Sequence, residues 1–256
     1  MFRFYFIIII SIIRILVYVI MGDYWCKHPE KYDMDKRFKL ACRIIGDVKK
    51  RARITTVAYG VENLPKEGGY IMYSNHQGRY DALGIISVHP GKCSVIMDAE
   101  RSRIMLANQV VELVDGIRLE RNDFRQQVNV LKGMTEKAAA GVRYIYFPEG
   151  GYEHNGNKLQ EFRPGAFKVA KNAKVPIVPV AIYDSHIPFD FNSMRRVTTQ
   201  VAFMDPIPYE EYSSMSTAEI SAMVKAKIEN KIDELEEIRK NKKYNSWFKE
   251  YKETDK

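Results

Sequence analysis

From residue 54 onward the chain repeats one pattern. A short apolar run ends at glycine, proline or a charge, and a helix-like segment follows. The runs at 54–59, 69–74, 94–97, 111–114, 143–147, 177–183 and 197–203 read as strands. Segments 82–88, 100–108, 123–140 and 164–172 read as the helices between them. Strands alternating with helices leave little choice of architecture, because a parallel pair needs a crossover connection. The expected fold is α/β, with a mostly parallel central sheet flanked by helices. Ser216-Thr217-Ala218-Glu219 has the form of a capping box. It opens a long charged C-terminal helix over 216–241, with Ile220, Met223, Ile228, Ile232 and Leu235 turned inward.

The first 53 residues follow a different pattern and define an N-terminal pair of membrane-anchoring helices ahead of the domain at 54–256. From Phe4 to Met21 only Ser11 and Arg14 interrupt an apolar and aromatic stretch. Eighteen helical residues reach about 27 Å, slightly short of a hydrocarbon core. Arg14 at mid-span is costly for a spanning helix unless it snorkels or pairs. A helix entering one leaflet fits better than one crossing both. In the next segment, 31–53, Phe38, Ala41, Ile45 and Val48 form one apolar stripe, while Lys36, Lys39, Arg43 and Lys50 lie largely off it. Residues 23–53 hold ten Lys and Arg against five Asp and Glu. A basic amphipathic helix after a hydrophobic one suits an anionic lipid surface, and the basic flank places the following domain on the cytoplasmic side of the cell membrane.

Charge and cysteine usage narrow the function classes. Forty Lys and Arg against 32 Asp and Glu give a formal charge of +8, which favours an anionic partner. The 16 tyrosines are scattered and no RNA-binding motif accompanies them, so lipid is the expected partner and nucleic acid is not. Cys26, Cys42 and Cys93 form no CxxC pair and no Cys/His cluster, which argues against structural zinc and a disulfide framework. Neither GxSxG nor a Walker-type loop is present, so serine hydrolase and NTPase readings have no residue to rest on.

Chemistry-bearing residues gather at the ends of expected strands. In Tyr73-Ser74-Asn75-His76-Gln77-Gly78-Arg79-Tyr80-Asp81, a regular helix would set His76 and Asp81 on different faces. A strand-to-helix turn between them brings the two together. Asp81 is then either the carboxylate that orients an imidazole base or an ordinary helix cap beside a surface histidine; the spacing admits both. Arg118, Glu120 and Arg121 close the run at 114–121, and Glu149 with Gly150 sits in the turn after 143–147. His89 and His186 read as loop histidines, and nothing in the sequence pairs with His154.

Taken together, these stretches resemble the 1-acylglycerol-3-phosphate acyltransferases, the glycerolipid acyltransferases marked by an NHxxxxD motif. Asn75, His76 and Asp81 match that motif. Leu119-Glu120-Arg121 is similar to the second family block, Phe147-Pro148-Glu149-Gly150 to the third, and Val175-Pro176-Ile177-Val178-Pro179-Val180 to the fourth. The resemblance covers residues 54 to 205. It implies transfer of a fatty acyl group from acyl-CoA or acyl-carrier protein to the sn-2 hydroxyl of 1-acylglycerol 3-phosphate, giving phosphatidic acid, with no cofactor and no metal. His76 and Asp81 would be catalytic. Asn75, Arg118, Glu120, Arg121, Glu149, Gly150 and Lys168 would hold substrate, with Arg121 the principal phosphate ligand. Where the family continues its third block with threonine and arginine, this chain has Gly151 and Tyr152. Arg118, Lys168 or Arg163 would have to supply the missing contact, or the acceptor is another lysophospholipid or lipid hydroxyl. A catalytically silent lipid-binding protein is the alternative of another class.

Overall fold

The computed structural model describes residues 2–102, 107–120 and 123–248. In chain order the elements are α1 (Phe2–Lys27), α2 (Met34–Ala52), β1 (Ile54–Tyr59), β2 (Ile71–Ser74), α3 (Asp81–Val88), β3 (Ser94–Asp98), α4 (Ala99–Ser102), α5 (Ala107–Leu113), β4 (Ile117–Leu119), α6 (Phe124–Ala139), β5 (Tyr144–Tyr146), α7 (Lys168–Ala173), β6 (Ile177–Tyr183), α8 (Ile187–Asp190), β7 (Val197–Phe203), α9 (Tyr209–Tyr212) and α10 (Thr217–Lys242). The seven strands form one sheet in the order β1-β7-β6-β2-β5-β3-β4. Every pairing is parallel except β6 with β7. The expected α/β fold with a mostly parallel sheet is the fold observed.

Alternation along the strands builds two apolar layers. Tyr70, Met72, Ile145, Val178, Val180 and Ile182 face a layer completed by α2, α3 and α5. Ile71, Tyr73, Tyr144, Ile177, Ala181 and Tyr183 face the other, completed by α6, α7 and α10. The capping box at Ser216 and Glu219 is formed, and α10 buries Ile220, Val224, Ile228, Ile232 and Leu235. Met223 packs against the same layer partly buried, and Val224 joins the inner face beside it.

Two features of the sequence reading change. The run at 111–114 is not a strand: Val111 and Leu113 lie in α5, and Val114 follows it. The neighbouring strand is β4 at Ile117–Leu119. Apolar residues at 110, 111, 113 and 114 fit either period, and packing of Val110, Val111 and Leu113 into the first layer decides for helix. The apolar stripe of α2 also turns inward. Phe38, Leu40, Ala41, Ile44 and Ile45 are buried in that layer, while Lys36, Lys39, Arg43 and Lys50 are exposed.

The exposed apolar surface belongs instead to α1. Ile9, Ile13 and Ile20 are 72%, 77% and 68% exposed, and Ile10, Ile12, Leu16 and Val17 are also open. Only Ser11, Ile15 and Tyr18 are buried along this stretch. Arg14 pairs with Asp47 of α2 at 2.8 Å, and the Tyr18 hydroxyl donates to the same carboxylate. The pairing gives the exposed Arg14 a partner on α2, as its place within an apolar stretch calls for.

Candidate active site

Three adjacent central strands end in polar residues on one edge of the sheet. Asp184 follows β6, His76 lies just beyond β2, and Glu149 lies just beyond β5. Loops beyond strand C-termini are where open α/β sheets hold their sites. The loop after β2 is fixed first by Asn75. Its Nδ2 donates to the Ile182 carbonyl at 3.0 Å, and its Oδ1 accepts the Ile182 N–H at 2.8 Å. The side chain thereby continues the hydrogen-bond ladder from β2 to β6. Asn75 is 1% exposed with both amide ends engaged, so it holds the loop rather than the substrate-binding place expected of it.

His76 then turns toward α3. Its Nδ1 lies 2.6 Å from Asp81 Oδ2, and that oxygen also accepts the backbone N–H groups of Gln77 and Gly78 at 2.5 and 2.9 Å. A carboxylate so placed selects the tautomer with the proton on Nδ1 and leaves Nε2 as a base. Of the two readings of Asp81 the geometry keeps the first: it stands in the first turn of α3 but does not cap it, its Oδ2 being turned to the imidazole and the loop. The ring lies against Phe147, with centroids 4.4 Å apart and planes at 22°. Tyr152 meets it edge-on at 4.7 Å. The His76 side chain remains 17% exposed, whereas that of Asp81 is fully buried. Nε2 makes no hydrogen bond among the described residues.

Glu149 is buried beside this pair. Its Oε1 accepts the His76 backbone N–H at 3.1 Å, and Gln160 Nε2 lies 2.6 Å from Oε2. Burial pushes its carboxyl up to about 8, against the opposing pull of the His76 N–H and Gln160 hydrogen bonds. At neutral pH the group is therefore mostly uncharged. Gly150 has φ +73°, and a Cβ there would come within 2.6 Å of the Arg163 guanidinium carbon. The positive φ favours glycine here, and a larger residue would also push the Arg163 side chain off the turn.

The remaining expected residues are spread more widely. Arg118 is engaged within the fold: it bonds Ser102 Oγ at 3.0 Å and Asn108 Oδ1 at 2.8 Å, and pairs with Glu112 at 3.3 Å. It ties β4 to α4 and α5. Glu120 is exposed at the end of β4, three strands along from β2, or about 14 Å at the usual spacing. Arg121 lies outside the described residues. Lys168 is exposed at the start of α7 and touches none of His76, Asp81 or Glu149.

His89, His154 and His186 all lie outside helices and strands, but His89 and His186 are buried rather than open loop residues. His89 is a core residue bonded to Tyr70 at 2.6 Å, and burial pushes it down to about 4. His154 approaches Asp190 Oδ2 at 3.2 Å. His186 is buried. Among the described residues no group of three or more His, Cys, Asp or Glu is placed to hold a metal ion. Sequence reasoning missed Gln77, Asn157, Gln160 and Asp184, which hold the loops together.

The site is a strand-to-helix loop of an α/β sheet that carries a carboxylate-oriented histidine next to a buried acid. The chain belongs to the Acyltransferase family, whose sequence model matches residues 56–183. It is 34% identical over 155 residues to human 1-acyl-sn-glycerol-3-phosphate acyltransferase alpha, covering 59% of this chain and 54% of that protein. A probable 1-acyl-sn-glycerol-3-phosphate acyltransferase of Mycoplasma pneumoniae is 29% identical over 161 residues, covering 61% of this chain and 60% of its own. The matched stretch thus spans about half the length of the mammalian relatives. The crystal structure of the 1-acyl-sn-glycerophosphate acyltransferase from Thermotoga maritima shares the fold, with TM-score 0.73 over 91% of this chain and 93% of that one, at 22% identity.

Proposed function

We propose that the protein transfers a fatty acyl group from acyl-CoA or acyl-carrier protein to the sn-2 hydroxyl of 1-acylglycerol 3-phosphate, releasing phosphatidic acid and the free thiol. The observation that carries this reading is the 2.6 Å contact of His76 with Asp81 at the mouth of the central strands. His76 Nε2 takes the hydroxyl proton as the oxygen attacks the thioester carbonyl. The C–S bond breaks and the proton passes to the thiolate. Asp81 stabilises the imidazolium in between. Donor and acceptor alone balance this reaction, with no cofactor or metal taking part.

Phosphate recognition is assigned to Arg163 and Arg121. Arg163 is exposed, lies against the Glu149–Gly150 turn, and has no ion pair or side-chain hydrogen bond among the described residues. An arginine fork suits a phosphate monoester. An uncharged Glu149 removes the repulsion that a carboxylate would exert on that phosphate. The open apolar face of α1 supports attachment to a membrane, with membrane lipids as both surface and substrate source, and the cytoplasmic side rests on the basic residues of 23–53. Another lysophospholipid is the second reading, favoured by the engagement of Arg118 with Ser102, Asn108 and Glu112.

A panel of lysophosphatidate, lysophosphatidylcholine and monoacylglycerol with an acyl thioester decides between them. Lysophosphatidate should give the highest kcat/KM. A phosphate-free acceptor used equally well would contradict the assignment.

A further inference from the structure

Beyond the reacting pair lies a buried polar relay joining the catalytic loop to the C-terminal helix. Gln77, next to His76, is 1% exposed and fully engaged. Its backbone N–H helps to hold Asp81. Its side chain bonds the Ile182 carbonyl at 3.0 Å, the Ser185 N–H at 2.9 Å and Asn157 Oδ1 at 2.9 Å. Asn157 continues the line, donating to Asp184 Oδ1 at 3.0 Å and accepting the Asp184 N–H at 2.8 Å. Asp184 Oδ2 in turn accepts from Arg239 Nε of α10 and from Asn245 Nδ2, both at 2.7 Å.

Two features of this node argue against a purely stabilising purpose. Asp184 is held at φ +57°, a region unfavourable for a residue with a Cβ. Arg239 Nη2 is buried without a hydrogen-bond partner. A buried ion pair with an unmet donor is weak support for stability, and fixing one arrangement is the better account of its presence. We propose that Asp184 is a positioning residue for the His76–Asp81 pair, transmitting the placement of α10 through Asn157 to Gln77. This rests on the reading of His76 with Asp81 as the reacting pair. Reacting groups displaced by about 1 Å can lose 10²-fold in rate, so the relay acts on turnover and leaves acceptor binding alone.

The test is the double variant Asp184→Asn with Arg239→Gln in the full chain, which removes both charges and keeps polar side chains at both positions. The expected result is a kcat lower by about 10- to 100-fold, an unchanged KM and a thermal midpoint near that of the parent. The low-field proton resonance expected of the short His76–Asp81 hydrogen bond should also move. Unchanged kcat together with an unmoved resonance overturns the proposal, whatever the midpoint does. A fall in kcat with the resonance unmoved overturns it too. A resonance that moves while kcat holds keeps the positioning and overturns the pair's reacting role instead. If the double variant does not fold, Asn157→Ala, which cuts the link without touching either charge, is judged by the same three outcomes.

Discussion

Replacing Glu149 by glutamine should change how the protein's stability depends on pH. The carboxyl is raised from its ordinary 4.5 to about 8 by burial, a gap of roughly 3.5 pH units that sets a ceiling of about 5 kcal/mol. The sign follows from proton counting. Between pH 4.5 and 8 the folded state keeps a proton that the unfolded state has released, so stability falls as pH rises through this window and is fully present below it. Glutamine cannot ionise and still offers an oxygen to the His76 N–H. Gln160 must then rotate its amide to face the new NH₂ group, giving up its 3.1 Å bond to the Gly151 carbonyl. The variant should start somewhat less stable at pH 5 and overtake the parent by pH 8. Urea unfolding of both proteins at half-unit pH steps measures this. The difference between the two curves isolates Glu149, because His89 titrates in both. Parallel curves from pH 5 to 9 would refute the claim that burial holds this carboxyl neutral.

Two other outcomes follow from the same geometry. Asp81→Asn leaves the loop's backbone N–H groups an acceptor but no longer fixes the His76 tautomer, and kcat should fall by about 10³-fold or more, as measured by thiol release with the fold checked by circular dichroism. Ile13→Lys with Ile20→Lys, both on the open face of α1, should weaken sedimentation with lipid vesicles by at least about 10²-fold, since each buried isoleucine contributes about 1.5–3 kcal/mol; undiminished binding would show that this face does not meet lipid.

The sequence announced the sheet because parallel strands buried on both faces are long apolar runs, as Ile177–Tyr183 is throughout. It announced His76, Asp81 and Glu149 because each follows such a run within a few residues. It misplaced 111–114, where helix and strand periods coincide and only packing chooses. It could not show that Arg118 is spent on Ser102, Asn108 and Glu112, because their meeting depends on how α4 and α5 fold back on β4. Gln77, Asn157, Asp184 and Arg239 are ordinary polar residues separated by up to 162 positions in the chain. The signal available for Asp184 was a carboxylate ending a fully buried strand.

The central claim is that His76 removes the acceptor's proton while Asp81 holds its ring. It is tested most directly by the single-turnover rate of purified, folded His76→Ala with an acyl thioester and lysophosphatidate. General-base loss should lower that rate by about 10²–10⁴-fold while vesicle binding and the thermal midpoint stay near those of the parent. A folded His76→Ala protein forming phosphatidic acid at the parent's rate would contradict the account.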